Sequence, residues 1–499
     1  MNIFARKSLE ELNEEARAEG HGTLKRHLGP INLILLGIGA IIGAGLFVRT
    51  AMAAAGHAGP SVTLSFIVAA VGCALAGMCY AEFSAMTPVS GSAYTYSYAT
   101  MGELFAWIIG WDLVLEYALG AATVAIAWSE YLNKFIASFI GPGWVIPYQY
   151  CHSPLESVKI DGNQISGIIN LPAVFILLLL TLILVRGIKE SAAFNAIVVS
   201  VKVIIVILFI VLGWQFINPV NHTPFIPEAT TITNSLTEKS YPFGGLRGII
   251  GGAGVVFFAF IGFDAVSTAA QETKKPERDM PIGILGSLIV CTILYILFSW
   301  VLTGIAPYQD FADPTKGKEA SVAYAIDTYM TGYSWLSKFI TLAILFGFSS
   351  VILVMLLGQS RVFYSMARDG LVPKVFSELH PVFHTPAKSN WIFFVFVSLF
   401  AAFIPADIVG DMTSIGTLFA FALVSIGIII MRRSDPDAPR PFRTPLVPLV
   451  PILAVLVCGW MIYELRVENW ARLIVWLAIG MVIYFTYGVR NSRVQLSRR

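Results

Sequence analysis

GIGAIIGAGLF, residues 37–47, lies in the first long apolar segment of this chain, which covers residues 31–55. A membrane-spanning helix needs about 20 apolar residues, so this segment is long enough to cross a bilayer. Yet Gly37, Gly39, Gly43 and Gly45 fall near its middle, and each glycine inside a helix costs about 1 kcal/mol relative to alanine. Glycines at this depth either let two membrane helices approach closely or mark a break in the helix.

The two interpretations divide these glycines into two groups. Close packing against neighbouring helices accounts well for Gly37 and Gly39. It accounts less well for Gly43-Ala44-Gly45, because this triplet winds around the helix instead of keeping to one face. A half-helix that begins after a break presents free N–H groups and a positive dipole end, which suit an anion. The sequence therefore predicts a broken first helix whose ligand-binding residues are Ile41, Ile42, Gly43, Ala44 and Gly45.

The composition of the whole chain predicts a polytopic helical membrane protein. Of its 499 residues, 56% are hydrophobic and only 13% are charged, which is far from the composition of a soluble domain. No nucleotide-binding loop, metal-ligand cluster or nucleophile arrangement is recognisable, so we expect no enzyme, cofactor, metal or nucleic acid. Twelve apolar segments can be counted, at 31–55, 61–83, 103–131, 168–186, 192–217, 246–271, 281–305, 335–366, 389–405, 411–431, 446–465 and 470–488.

The distribution of basic residues predicts the orientation in the membrane. With twelve crossings and an inside N-terminus, 22 of the 33 Lys and Arg residues fall in inside segments and 9 in outside loops. Cytoplasmic loops carry the excess of positive charge. We therefore expect a multi-pass protein of the cell membrane with both termini in the cytoplasm.

A second glycine-rich interruption occurs in the sixth segment. Glycines crowd its outer half, and Asp264 follows Gly262 where an N-cap would restart a helix. Interruptions at corresponding positions of two halves are typical of transporters built from inverted repeats, with the site near the midplane. An amino acid suits such a pair of breaks: N–H groups of the first would bind its carboxylate, and unpaired carbonyls at Phe258, Ala259 and Ile261 would bind its ammonium.

Two ionisable residues lie deep in apolar segments. Glu116 is about 20 Å along its helix from the inner end, where an ionisable group is a functional candidate. It could contact a cationic side chain of the substrate, or it could serve a cytoplasmic vestibule together with Asp112. Lys202 is about 16 Å into the fifth segment, too deep for its stem to reach the interface.

Lys202 must therefore face the protein interior, and we assign it to proton coupling. Charged, it could donate to carbonyls near the first break, such as that of Ile42. Neutral, it would lose that interaction, so its protonation would favour one conformation over another. The alternative is a permanently charged structural lysine paired with a carboxylate, for which Glu116 is the nearest candidate.

The chain also resembles a known family, the cationic amino acid transporters of the amino acid–polyamine–organocation superfamily. Six segments carry the resemblance: GIGAIIGAGLFV, CYAEF, GWDLVLEY, VRGIKESAAFN, FFAFIGFDAVSTAAQETKKPERDMPIGI and SRVFYSMARDGLVPKVF. The resemblance implies a five-plus-five inverted repeat with two extra helices. Animal members have fourteen spans, so twelve suggest a prokaryotic member. At Met355 the chain departs from those relatives, which carry a small polar residue there, and a bulky Met would occupy space that an arginine side chain needs.

The resemblance and the apolar segments together predict the organisation of the chain. The expected parts are a cytoplasmic N-terminal segment (1–30), a first repeat (31–217), a second repeat (218–431) with an outer loop (218–245), a cytoplasmic linker (432–445), two further helices (446–488) and a cytoplasmic tail (489–499).

The function expected from these features is proton-coupled import of L-amino acids. The substrates would be cationic amino acids, small neutral amino acids, or both classes. Met355 is predicted to cap the pocket for the substrate side chain. A sodium-coupled or uncoupled exchanger of the same fold is the nearest alternative. A sensor or a channel is a third, although the chain has no appended signalling domain and its helices are too apolar for a continuous pore.

Overall fold

The computed structural model describes residues 2–8, 10–12, 14, 26–43, 45–87, 89–160, 163–233, 240–312, 321–463 and 467–497. Each of the twelve apolar segments contains a helix, and we label these α1 to α12 in chain order. Their bounds are α1, Pro30–Ile41 continuing after a break as 45–58; α2, Val62–Met86; α3, Glu103–Phe139; α4, Leu171–Arg186; α5, Ile188–Gly213; α6, Gly245–Phe257 continuing after a break as Asp264–Glu272; α7, Pro276–Ile305; α8, Ser334–Arg368; α9, Ala387–Phe403; α10, Ala406–Ser434; α11, Leu449–Tyr463; and α12, Val467–Ile483.

The lengths of these helices make the chain an integral multi-pass membrane protein. Among the described residues, eight helical spans are long and apolar enough to cross a bilayer, and four further apolar helices are shorter. Helices suit this environment because each satisfies its own backbone hydrogen bonds where no water is present. The full count of twelve crossings stays a prediction.

The expectation of a purely helical fold is incomplete, because two loops form β-hairpins. Strands β1 (Ser157–Ile160) and β2 (Asn163–Ser166) pair between α3 and α4. Strands β3 (Thr230–Thr233) and β4 (Ser240–Phe243) pair between α5 and α6. Both pairs are antiparallel, and β3, with the sequence TTIT, is rich in β-branched residues, which favour a strand.

The first two glycines of α1 are packing positions, as the sequence indicated. A Cβ built on Gly37 would lie 2.5 Å from Ser287 Cβ of α7, and one built on Gly39 would lie 2.6 Å from Asn195 Oδ1 of α5. Any larger residue would therefore push α1 away from these two helices.

Both ends of the described chain lie on the same face of the molecule, where an N-terminal strap covers the helix ends. We call the direction toward this face inward and the opposite direction outward. The strap consists of the described residues within 2–12. Gln495 Nε2 donates to the carbonyl of Asn2 at 2.7 Å, and the N–H of Glu103 at the start of α3 donates to the carbonyl of Ala5 at 3.0 Å. Lys7 forms a buried ion pair with Asp369 beyond the end of α8.

A second set of contacts closes the same face beneath the strap. Arg361 of α8 and Glu272 at the end of α6 form a buried ion pair at 2.6 Å. The N–H groups of His27 and Leu28 each donate to the carbonyl of Glu272 at 2.9 Å. The segment that leads into α1 is therefore tied to the end of α6, and the face that carries the termini is closed.

Candidate substrate site

Both predicted breaks are present. In α1, Ile42 has extended backbone angles (φ −76°, ψ 101°), and helical structure resumes at Gly45 as a π-helical turn. In α6, Ile261 is extended (ψ 136°), Gly262 has a φ of +108°, and helical structure resumes at Asp264. The φ of Gly262 is one that side chains disfavour, which explains the glycine there. Ala44, a predicted ligand-binding residue, lies outside the described residues.

The two breaks approach each other closely. A Cβ on Gly45 would lie 2.2 Å from the Cα of Ala259, so only glycine fits against the α6 backbone. The hydroxyl of Tyr295 in α7 lies 2.9 Å from the carbonyl oxygen of Ile41 and 2.8 Å from that of Ala259, and can donate its one proton to either. Tyr295 is not among the residues predicted from the sequence, although a tyrosine ten residues from the outer end of α7, about 15 Å deep, is a signal of function.

A small cavity lies between the breaks, and we call it the central cavity. Its volume is about 20 Å³, enough for about one water molecule. Its lining comes from α1, α3, α6, α8 and α10 and consists of Ala40, Ile41, Gly43, Gly45, Gly120, Val124, Phe258, Ile261, Val351, Met355 and Thr413. Six of the predicted site residues are therefore brought together here: Ile41, Gly43, Gly45, Phe258, Ile261 and Met355.

Three predicted residues lie beside the cavity without lining it. Ile42 accepts a hydrogen bond from Lys202 through its carbonyl, and Ala259 accepts one from Tyr295. Glu116 is fully buried one turn inward of Gly120, about 6 Å further along α3. Its carboxyl faces that of Asp264 and the hydroxyl of Thr417, although neither of its oxygens has a hydrogen-bond partner among the described residues.

Asp264 occupies the position that the sequence predicted for a helix restart. Its carboxyl faces the first N–H groups of the inner half of α6, its own and that of Ala265. Tyr117 of α3 donates to the same carboxyl at 2.5 Å. The buried polar layer of Glu116, Tyr117 and Asp264 therefore joins α3 to α6 on the inward side of the cavity.

Lys202 is fully buried, and its amino group connects α5 to α1 and α8. Nζ lies 3.0 Å from the carbonyl oxygen of Gly39, 2.8 Å from that of Ile42 and 2.7 Å from Ser350 Oγ. We call these three oxygens the Lys202 site. An ammonium has three donors, and here three neutral acceptors receive them. In the described part of the chain no carboxylate pairs with Lys202, so the alternative of an ion pair with Glu116 is wrong.

Two broken helices around a buried cavity, inside a multi-pass helical membrane protein, define a secondary transporter. The model of the amino acid permease family matches residues 28–486, and the chain belongs to that family. This agrees with the resemblance inferred from its motifs, and the family consists of membrane transporters and not of enzymes.

Individual relatives cover almost the whole chain. It is 42% identical to the branched-chain amino acid permease of Bacillus subtilis, over 99% of each chain. It is 39% identical to the methylthioribose transporter of the same organism, over 98% of this chain and 99% of that one. It is also 34% identical to the vacuolar cationic amino acid transporter 4 of Arabidopsis thaliana, over 88% of this chain and 68% of that one.

Proposed function

We propose that this permease imports L-amino acids together with protons across the cell membrane, and that small and branched neutral amino acids are its preferred substrates. The observation that carries the coupling is the Lys202 site, where an amino group joins α5 to the α1 break and to α8.

Protonation would change how strongly Lys202 holds the α1 break. An ammonium offers three donors to the carbonyls of Gly39 and Ile42 and to Ser350, whereas a neutral amine offers two. Charge-assisted hydrogen bonds are about twice as strong as neutral ones. The charged form therefore favours the arrangement in which α1 is held against α5 and α8, and loss of the proton releases it. Such a difference between two conformations is what coupling requires.

The same site argues against a sodium ion at this position. Two carbonyls and a hydroxyl are oxygen ligands suited to a hard cation, but the amino group of Lys202 already occupies the space between them. A sodium-coupled protein or an uncoupled exchanger of this fold is the alternative, and the experiment below separates the three.

The central cavity suits an amino acid whose side chain is apolar. Backbone N–H groups beginning at Gly43 and Gly45 would bind the carboxylate, and the carbonyls of Phe258 and Ile261 would bind the ammonium. The other predicted substrate contacts are Ile41, Ile42 and Ala44 at the first break and Ala259 at the second. The side chain would then meet Val124, Val351 and Met355, which are apolar.

The central cavity holds about one water molecule in this structure, so every amino acid substrate requires it to widen. A cationic substrate makes a further demand. Its charge would have to pass Met355 to reach Glu116, one turn further inward. We therefore propose Glu116 as the contact for a cationic side chain only when Met355 is displaced. Methylthioribose, the substrate in the name of a relative with 39% identity, carries neither a carboxylate nor an ammonium and would leave the charged ends of both breaks unused.

The experiment is uptake into proteoliposomes that contain the full chain. Leucine, valine, alanine, arginine and methylthioribose are each offered under an inward proton gradient alone, a sodium gradient alone, and no gradient with unlabelled amino acid inside. We expect proton-driven accumulation of the neutral amino acids. Accumulation only with sodium, or exchange without accumulation, would contradict the proposed coupling, and binding without any flux would indicate a sensor.

Variants of Lys202 test the mechanism directly. Lys202→Met removes the proton-binding group, and we expect it to abolish proton-driven accumulation while exchange across the membrane continues. Lys338→Met, an exposed lysine at the outer end of α8, is the matched control and should accumulate substrate normally. Undiminished proton-driven accumulation by the Lys202 variant would remove Lys202 from the coupling mechanism.

A further inference from the structure

A second and larger cavity opens on the face opposite the termini. Its volume is about 300 Å³, at the lower end of the range of small-molecule sites. We call it the outer vestibule. Its lining residues on α1, α3, α8 and the short helix Ser321–Tyr329 include Phe47, Tyr131, Lys134, Asp327, Ser337 and Thr341.

The vestibule lies directly outward of the central cavity. On α3, Val124 lines the central cavity and Tyr131 lines the vestibule. On α8, Val351 lines the central cavity and Ile344 lines the vestibule. Both steps are seven residues, or about 10 Å along a helix. The two cavities are therefore stacked along the same two helices, at levels about 10 Å apart.

A layer of aromatic side chains lies at the inner end of the vestibule. The rings of Tyr131 on α3 and Phe348 on α8 pack edge to face with their centroids 5.5 Å apart. Phe47, two residues beyond Gly45 on α1, lies in the same layer and lines the vestibule. A substrate that enters from this face would therefore meet the vestibule before it reaches the breaks.

The vestibule contains two opposite charges and an apolar floor. The ammonium of Lys134 lies 4.8 Å from the ring centroid of Tyr131, on the α3 side. The carboxylate of Asp327 is on the short helix between α7 and α8, and it is exposed. Hydroxyls of Ser337 and Thr341 on α8 donate to their own helix, which leaves lone pairs to accept from an ammonium.

We propose that the outer vestibule is a second amino acid binding site, which loads the central cavity. It would hold the substrate carboxylate at Lys134 and the ammonium at Asp327, with the side chain on the floor formed by Phe47, Tyr131 and Ile344. The identity of this ligand class rests on the proposed function. Because the charges are near the surface, the site is expected to be weak and sensitive to salt.

Thiol labelling of the vestibule tests this proposal without requiring transport. Ser138 lines the cavity and is exposed, whereas all five native cysteines are buried. Ser138→Cys in the full chain is labelled with a membrane-impermeant maleimide, with and without leucine. We expect leucine to slow labelling severalfold, and leucinamide and isocaproate, which each lack one charged end, to slow it much less.

The variants decide which cavity is responsible for the protection. Lys134→Gln and Asp327→Asn should each abolish protection by leucine, whereas Lys338→Gln, a neighbouring exposed lysine that does not line the cavity, should leave it intact. Protection should survive Gly43→Val, which fills the central cavity. Protection lost with Gly43→Val, or retained with both vestibule variants, would overturn the proposal.

Uptake kinetics give a second and independent readout. Lys134→Gln should raise the KM for external leucine about threefold to tenfold at low salt with little change in the maximal rate, and the difference should shrink at high salt. An unchanged KM at low salt would contradict the proposal. If wild-type vesicles accumulate no amino acid, the proposed function fails, while the labelling result still reports on the vestibule.

Discussion

At the scale of single residues, Met355 and Gly120 determine how much space the central cavity offers. A Cβ on Gly120 of α3 would lie 2.7 Å from Met355 Sδ of α8, so the two residues are in contact across the cavity. The same arrangement recurs about 15 Å further inward, where a Cβ on Gly110 would lie 2.7 Å from Met366 Sδ. That second pair does not line the cavity and therefore provides matched controls.

Met355→Ser should broaden the substrate range toward cationic amino acids. The shorter side chain opens a path from the central cavity toward Glu116, so arginine should compete about tenfold better against alanine, the range that a few methylene groups provide in a binding pocket. Competition for uptake of labelled leucine measures this ratio. Met366→Ser should lose comparable packing without changing the ratio, and an unchanged ratio in Met355→Ser would remove Met355 from the pocket.

Gly120→Ala should reduce uptake, because the added methyl group would force Met355 further into the central cavity. Combining it with Met355→Ser should restore uptake, since the smaller partner leaves room for the methyl group. Gly110→Ala should disturb packing against Met366 but should not be rescued by Met355→Ser. If uptake in the double variant equals that of Gly120→Ala alone, the two residues do not act together on the substrate.

Gly43 and Gly45 should respond differently to substitution, although both lie at the predicted break in α1. A Cβ on Gly43 would meet only a methyl group of Val351, at 2.8 Å, whereas one on Gly45 would meet the backbone of Ala259 at 2.2 Å. We expect Gly43→Ala to fold with reduced uptake and Gly45→Ala to lower the thermal unfolding temperature. Thermal unfolding in detergent distinguishes them, and equal stability would contradict this account.

At the scale of elements, the N-terminal strap closes the face that carries the termini. Asp369 accepts from Lys7 and also from the hydroxyl of Tyr94, at 2.6 Å. One carboxylate therefore joins the strap, the end of α8 and the helix Ala93–Thr100. Under the proposed function, release of a substrate on this side requires these contacts to break, along with the ion pair of Glu272 and Arg361 beneath them.

Asp369→Asn should make the closed arrangement less stable. Removing one partner of a buried ion pair costs about 3–5 kcal/mol, so efflux from preloaded proteoliposomes should be faster and proton-driven accumulation lower. Glu378→Gln is the control, because Glu378 pairs with Lys388 at an exposed position, where such pairs contribute about 0–1 kcal/mol. Equal efflux from the two variants would show that the strap does not restrain opening.

At the scale of the whole molecule, the positions of the functional residues are consistent with the proposed inverted repeat. The central cavity is lined by α1 and α6 and by α3 and α8. Each pair of helices is five apart in sequence. The division into repeats at 31–217 and 218–431 stays a prediction, as does the cytoplasmic location of the termini.

Cysteine labelling in intact cells would test that orientation. Gln164 in β2 and Leu496 in the C-terminal segment are both exposed, and the five native cysteines are buried. An impermeant maleimide should label Gln164→Cys in intact cells but label Leu496→Cys only after permeabilisation. The reverse pattern would invert the topology and place the outer vestibule in the cytoplasm.

Local sequence properties were enough to predict the membrane-embedded helices, the two breaks and the deep position of Lys202. Apolar length, glycine density and an isolated charge are properties of neighbouring residues. They determine structure directly in a bilayer, because lipid offers no hydrogen-bonding partner and the backbone must satisfy its own polar groups. The hairpins escaped prediction because they lie in loops outside this constraint.

Contacts between distant residues required the folded chain. Lys202 and Ser350 are 148 residues apart, Tyr295 and Ile41 are 254 apart, and Lys7 and Asp369 are 362 apart. No periodicity links such pairs, because helix packing alone decides which side chains meet. The tertiary structure therefore decided that Lys202 binds two carbonyl oxygens and a hydroxyl instead of Glu116. It also decided that Glu116 lies inward of the central cavity and that a charged vestibule lies outward of it.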